Sequence, residues 1–336
     1  MNTNTHLIIP EAPRIPGLGF RYFRGEPDYL AVMNVFNACK AVDGIEYTMT
    51  LENVAHHFEH LVNCNPFTDM IFVEIDGLPI AYGRAGWFRE SEGNYIYYAL
   101  GWIAPEWRRR GIGTAILRQN ERRIYEIAAQ HPAEAPKFFQ NDHSDRQPGV
   151  AALLKANGYE AVRWGYEMLR RMIAPLPEAP MPAGLEVRPV MEDHYRLIWD
   201  AQNEAFRDHW GHVQTTEEDY QRWLSNPVTF DPTLWKVAWE GDQVAGMVLN
   251  FFSEDENQEY QRHRGYTENI SVRRPWRRRG LARSLLVQSI KMFREMGMEE
   301  TALGVDSNNP NQALDLYSSV GYQIYKKATL YRKPLE

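Results

Sequence analysis

Six arginines, Arg273, Arg274, Arg277, Arg278, Arg279 and Arg283, fall within eleven residues of a chain whose formal net charge is −7. Gly280, Leu281 and Ala282 sit among them. Guanidinium groups give charge-assisted hydrogen bonds to phosphate oxygens. A glycine lets backbone bend tightly and lets a phosphate approach it. The chemistry such a cluster suits is therefore polyphosphate binding, although an arginine run also serves as a solvated basic turn. A second cluster repeats the pattern at the same spacing: Trp107, Arg108, Arg109, Arg110, Gly111, Ile112 and Gly113. Two copies in one chain point to an internal repeat.

The flanking sequence sets each cluster between a strand and a helix. Residues 266–272 (YTENISV) alternate as a strand does, and Leu281, Leu285, Leu286, Ile290, Phe293 and Met296 recur at helical spacing. Residues 95–103 and 112–129 bracket the first cluster in the same way. A helix start offers unpaired N–H groups and the positive end of its dipole, both suited to an anion. The glycines at 111 and 113 do not make a dinucleotide fingerprint, because the third glycine and the distant acidic residue are missing.

A strand end followed by Arg-x-x-Gly-x-Gly/Ala at a helix start resembles the acetyl-CoA-binding motif of the GNAT N-acetyltransferases. It occurs as Val272, Arg277, Gly280 and Ala282, and again as Ile103, Arg108, Gly111 and Gly113. A second stretch, with Asn309, Ala313, Leu316, Tyr317, Gly321 and Tyr322, is similar to that family's second motif. The resemblance is to a tandem, two-domain GNAT protein. It implies an α/β fold of two GNAT-like domains, each a mixed, mostly antiparallel central sheet flanked by helices. It implies cofactor contacts from Ile270, Ser271 and Val272 at the strand end, from Arg277, Arg278, Arg279, Gly280, Leu281, Ala282 and Arg283 in the loop, and from Asn309. Arg109, Arg110, Gly111 and Gly113 are the matching contacts of the first copy.

The same resemblance implies roles for Glu268 as general base and Tyr317 as general acid. An ammonium acceptor must lose a proton before it attacks a thioester, and a carboxylate in reach can take it. A phenol can protonate the departing thiolate, and a strand-end N–H near Val272 can polarise the acetyl carbonyl. Counting back from the strand end sets Ala99 opposite Glu268, and counting from the Gly-Tyr pairs sets Leu154 opposite Tyr317 and Arg146 opposite Asn309. The second half is thus expected to be catalytic and the first a degenerate copy. Each residue has a plainer reading too: Glu268 as a sheet carboxylate paired with arginine, Tyr317 as a packed helix residue, Asn309 as a helix cap.

At 336 residues the chain is long enough for two domains. The expected boundaries are 18–171, a proline-rich linker at 172–184, and 185–336, with order β-α-α-β-β-β-α-β-α-β in each half. The strand at 159–170 is expected to close the first sheet, and 322–332 to be strand-like to the end. The acidic balance disfavours a nucleic-acid partner. No apolar run is long enough to span a bilayer and no secretory leader is evident, so a cytoplasmic protein is expected. Cys39 and Cys64 form no metal or redox motif, and no metal is expected. The segment with Phe206, His209, Trp210 and His212, and the acidic run 253–261, are expected near the acceptor. The function expected is acetyl transfer from acetyl-CoA to a small primary amine, in a monomer or homodimer. The alternatives are a protein or peptide N-acetyltransferase and a non-catalytic acetyl-CoA-binding protein.

Overall fold

The computed structural model describes residues 7–308 and 313–336. The chain forms two compact units: one holds residues up to Val162 together with Ala328–Glu336, the other is Arg163–Lys327. In chain order the elements are β1 (Leu18–Tyr22), α1 (Tyr29–Asp43), α2 (Leu51–Glu59), α3 (Pro66–Asp69), β2 (Met70–Ile75), β3 (Leu78–Arg89) and β4 (Tyr95–Ile103). Then come α4 (Ile112–Ala128), β5 (Lys137–Ser144), α5 (Pro148–Ala156), β6 (Glu160–Arg171), β7 (Glu186–Arg188), α6 (Tyr195–Phe206) and α7 (Glu217–Leu224). The rest are β8 (Lys236–Glu240), β9 (Gln243–Phe251), α8 (Glu254–Glu259), β10 (Arg264–Val272), α9 (Leu281–Glu295), β11 (Glu300–Asp306), α10 (Ala313–Ser319) and β12 (Gln323–Pro334).

Local chemistry explains the pieces. Asp76 and Gly77 both have positive φ, 49° and 85°, which is the two-residue turn whose twist suits a hairpin between β2 and β3. Thr50 and Thr216 cap α2 and α7, each accepting from the N–H three residues on while that residue's side chain reaches back. In the second unit α9 turns Leu281, Leu285, Leu286, Ile290 and Phe293 onto Ala238, Ala245, Val248 and Leu303 of the sheet. Burying each of those large side chains contributes roughly 2 kcal/mol. Phe293 lies over Gly265 so closely that an added Cβ would stand 2.6 Å from its ring, so Gly265→Ala would push α9 off the sheet.

Within each unit the strand pairing is mixed and mostly antiparallel; among the described residues β4 with β5 and β10 with β11 pair in parallel. The closing strands differ from the expectation. β6 pairs with β11 along Gly165–Arg171, in the second unit. The last strand pairs with β5 along Ala328–Pro334, in the first. Met168 accordingly belongs to the second unit's core and Tyr331 to the first's. The two strands have similar length and alternation, and alternation fixes the buried face of a strand but not its partner.

The segment 172–184 is also more than a linker. Met172, Leu176 and Met181 join the core under α9, and the buried Arg170 donates to the carbonyls of Ala174 and Pro175. Leu7, Ile9, Ala12 and Ile15 pack in the same manner into the core beside α4. Both segments carry Pro-Glu-Ala-Pro, at 10–13 and 177–180, before Gly17 and Gly184 with φ of 74° and 81°. The repeat therefore includes its proline-rich lead-in. Cys39 is buried, Cys64 half-buried, and both are free. Among the described residues no helix is long and apolar enough to cross a membrane, and no cluster of acidic, cysteine and histidine side chains is arranged to hold a metal.

Candidate active site

The second unit's site begins with a break in regular pairing. β10 faces β9 with Glu268 opposite Leu249, then Ser271 opposite Met247, so one extra residue bulges from β10. Asn269 takes up the bulge with φ of 50°. A bulge bends a strand and re-aims the side chains beside it. On its other edge, β10 pairs with β11 only from Arg264 to Tyr266, where Tyr266 meets Ala302. Beyond that point the Gly304 N–H donates 2.8 Å to Glu268 Oε1 across the opening. Burial first of all, and then the nearby Glu167 carboxylate, push the Glu268 carboxyl up to about 7, against the two backbone N–H groups that favour its charged form.

The arginine loop leaves β10 at Val272. Arg277, expected as a cofactor contact, is spent largely on the protein itself. Its Nε donates to the Val272 carbonyl at 3.0 Å, and its two other nitrogens reach Asp208 at 3.0 Å and the Ala205 carbonyl at 3.1 Å. It is a strut between the strand end and the end of α6. Arg274 also pairs with Asp208, and hydrogen bonds from Arg274 and then Arg277 pull that carboxyl down to about 2. Arg279 turns away from the loop's inner side too, donating to the Ala183 carbonyl at 2.8 Å. Arg278 and Gly280 have φ of 60° and 87°, so the backbone curls just before α9. A run of N–H groups in such a curl forms a concavity for an anion.

These elements line a cleft of about 930 Å³. Glu268, Asn269, Ile270, Ser271 and Val272 form one wall. Arg277, Arg278, Gly280, Leu281, Ala282 and Arg283 form another, with Gly304, Asp306 and Tyr317 opposite. Of the expected site residues in this half, only Arg279 stands outside the lining, and Asn309 lies outside the described residues. Ser271 Oγ and Arg283 Nε are buried with no hydrogen-bond partner among the described residues. Tyr317 is buried, and burial, then the neighbouring Glu268, hold its phenol well above the ordinary value. It therefore keeps its proton throughout the neutral range.

His209 also lines the cleft, edge-on to Phe206 with ring centroids 4.6 Å apart. Burial lowers its pKa, favouring the neutral ring. Asp306, another lining residue, is tied to Arg163, whose guanidinium lies 4.7 Å over the Trp210 ring. Reading β6 as part of the first sheet hides Arg163, and with it the ion pair that holds Asp306. The acidic run 253–261 is not part of the lining. Most of it is α8, and Glu256 is buried, accepting from the Tyr266 hydroxyl at 2.6 Å.

In the first unit, β4 faces β3 from Arg89 opposite Tyr95 to Ala81 opposite Ile103 with no bulge. Counting along these partners, Leu100 rather than Ala99 stands where Glu268 does: each faces the residue three on from the partner of its strand end. The extra residue in β10 is what displaced the sequence count. Asn141 Nδ2 donates 2.6 Å to the Ala99 carbonyl and closes the gap between β4 and β5. Arg108 is a strut like Arg277, bonded to the Ile103 carbonyl at 2.9 Å and to Asp43 at 2.7 and 2.9 Å. Arg109 and Gly111 repeat the curl with φ of 62° and 87°. Pro13 packs at Gly111, 3.4 Å from where a Cβ would sit, whereas none of the described residues lies within 4 Å of that place at Gly280. Gly113 lies against Ile103 and Leu153, and Arg110 stacks 4.8 Å from the Trp107 ring.

Comparison with known proteins converges on one family. The sequence profile described as Acetyltransferase (GNAT) family matches residues 30–147 and 193–322. A mycothiol acetyltransferase of Geodermatophilus obscurus is 29% identical over 270 residues, covering 79% of this chain and 82% of that protein. Among solved structures, a GCN5-related N-acetyltransferase from Sphaerobacter thermophilus aligns with a TM-score of 0.70 and 26% identity, over 94% of this chain and 95% of that one. A tandem GNAT protein from the clavulanic acid biosynthesis pathway shares the fold, with a TM-score of 0.65 and 13% identity over 94% of this chain and 98% of its own.

Proposed function

The chain belongs to the acetyltransferase (GNAT) family, and on that footing we propose that its second half moves acetyl from acetyl-CoA to a primary amine of a small molecule. The observation that carries this reading is Glu268 at the opening between β10 and β11, held by the Gly304 N–H, in one cleft with Tyr317 and the curled loop before α9. The backbone curl at Arg278 and Gly280, the first N–H groups of α9 and the side chain of Arg283 are suited to the pyrophosphate of acetyl-CoA. The unpartnered Arg283 Nε supports that fit.

In the proposed reaction Glu268 takes a proton from the acceptor ammonium. A carboxyl near 7 is poised to do so at neutral pH without holding the proton too weakly. The free amine attacks the thioester carbon, the carbon–sulfur bond breaks, and Tyr317 gives its phenolic proton to the departing thiolate and regains one as the new amide nitrogen sheds its second proton. The N–H of Val272 stabilises the developing oxyanion. No covalent enzyme intermediate is needed. The first half is a support whose curl is retained and whose acid and base positions hold Leu154 and Leu100 or Ala99.

Because the relatives carry that name, the amine form of mycothiol heads the acceptors to be tested. The deciding experiment is calorimetric titration with acetyl-CoA, followed by thiol-release assays over a panel of small amines and an N-terminal peptide. Saturable binding with turnover of a small amine is expected. Turnover of the peptide alone would favour a protein N-acetyltransferase, and binding with no turnover would leave a non-catalytic acetyl-CoA-binding protein.

A further inference from the structure

We propose that Glu167 is a positioning residue for the reaction: its carboxylate, on the strand β6 that precedes the second repeat in sequence, strengthens Glu268 as a proton acceptor. This rests on Glu268 being the base. The geometry begins at Gly304. Glu167 stands directly opposite Gly304 in the antiparallel pair of β6 and β11, so its side chain leaves the sheet on the face toward which a Gly304 Cβ would point. Glu268 Oε1 is held by the Gly304 N–H at 2.8 Å and would lie 3.6 Å from that same Cβ. With no side chain at 304, both glutamates reach the surroundings of one glycine, one from each flank. A like charge nearby disfavours ionisation of its neighbour, and Glu167 is the charged side chain that raises the Glu268 pKa.

The other groups around Glu268 do not replace this effect. Its N–H donors, at Gly304 and in its own strand at Asn269, favour the carboxylate. Tyr317 of α10 and Tyr322, just before β12, are buried phenols that stay neutral in the same range. His209 is biased toward its neutral form, and Asp306 is paired with Arg163. The cations near Glu167 hold it loosely, Arg264 at 3.5 Å and Lys326 at 3.6 Å. Arg264 has a closer partner in Glu300 at 2.7 Å. Removing the Glu167 charge leaves Arg264 with Glu300, and the 3.6 Å contact of Lys326 passes to the neutral amide of Glu167→Gln, so the variant is expected to fold.

The test follows carboxyl carbon resonances of the full chain, labelled at glutamate, across the range from ordinary carboxylates to neutral pH. Wild type should show one resonance titrating near 7, absent in Glu268→Gln, which assigns it. In Glu167→Gln its midpoint should fall by about half a pH unit or more, at least about threefold in ionised fraction on the acid side. Glu167→Asp, which keeps the charge, should restore most of the midpoint. Lys326→Met should raise it, because the opposing cation is gone. A midpoint unmoved in Glu167→Gln, with the assigned resonance still near 7, would overturn the inference while leaving Glu268 as base untouched. If instead Glu268→Gln keeps full turnover in the amine assay, the base reading fails, and the midpoint comparison still reports on the two carboxyls by themselves.

Discussion

The two halves carry the same loop and differ in the strand that leads into it. Both loops have a strut arginine, Arg108 and Arg277, bonded to the carbonyl that ends the strand. Both curl through positive φ at an arginine and a glycine. Yet β10 gains a bulge at Asn269 and β4 does not. The gap beyond the parallel pairing is bridged by the side chain of Asn141 in one half and by a carboxylate, Glu268, in the other. On the proposed reading, a phosphate cradle asks only for backbone shape, which both loops keep, whereas proton transfer asks for one carboxylate at one place, and a single residue of strand register decides where it stands.

The largest effect expected from breaking this contrast is at the base. Glu268→Gln should lower turnover about 10²–10⁴-fold while leaving acetyl-CoA affinity in calorimetry nearly unchanged. Leu100→Ala, at the matching place in β4, should leave turnover as it is. A Glu268→Gln enzyme within a few-fold of wild type in the thiol-release assay would remove the contrast altogether.

The cradles come next. Gly280→Glu puts a carboxylate beside bound phosphate and forces a side chain into a φ of 87°. Acetyl-CoA affinity should fall by at least about 100-fold, as expected of losing or opposing a charge-assisted contact of about 3 kcal/mol. Gly111→Glu meets the same strain and presses on Pro13 as well. If the first cradle takes no cofactor, that variant is less stable but binds acetyl-CoA normally. Two calorimetric sites in wild type, one lost with each variant, would show instead that both halves retain the ligand.

These contrasts also mark what could be read from the chain. The loops and their helices were legible because Arg-x-x-Gly follows an apolar strand end and precedes a helical apolar face, all local features. Glu268 was legible through the motif, but its counterpart was misplaced by one residue. A bulge is a property of pairing between β9 and β10, and neither strand shows it alone. The exchange of closing strands was hidden for the same reason, and with it the pairing of Arg163 with Asp306 and the place of Glu167 opposite Gly304. The lead-in was missed differently: Pro-Glu-Ala-Pro at 10–13 and 177–180 was present as a repeat, but proline-rich composition reads as a linker until Leu176 and Met181 are seen in a core.

A pH series sharpens the comparison at lower cost to the protein. With the Glu268 carboxyl at about 7, kcat/KM should rise about tenfold per pH unit below that value and level off above it. The linkage to stability has the opposite sign. The folded state holds this proton more tightly than the unfolded chain, whose carboxyl sits near 4.5. The stabilisation is complete below about 4.5 and is lost as pH rises through about 7. Glu268→Gln should therefore have a higher urea midpoint than wild type on the alkaline side of that window. Matching midpoints there would mean that the carboxyl is not raised.

The smallest effects separate the two struts, and they concern stability alone. Asp43, the partner of Arg108, has a side chain only 3% exposed, and the arginine binds it with two nitrogens. Gln147 also donates to it, at 3.2 Å, and carries no charge. Arg108→Ala thus strips a buried carboxylate of its two-nitrogen cation, which costs about 3 kcal/mol. Asp208, the partner of Arg277, is 24% exposed and keeps Arg274 after the same truncation. Arg277→Ala should then cost about 2 kcal/mol, the value of a partly exposed pair plus the two lost contacts to the Val272 and Ala205 carbonyls. Urea unfolding of the two variants, followed by tryptophan fluorescence, should rank Arg108→Ala below Arg277→Ala. The reverse ranking would mean that the strut of the second half bears more of its fold than its exposed partner suggests, and that the two loops differ in support as well as in chemistry.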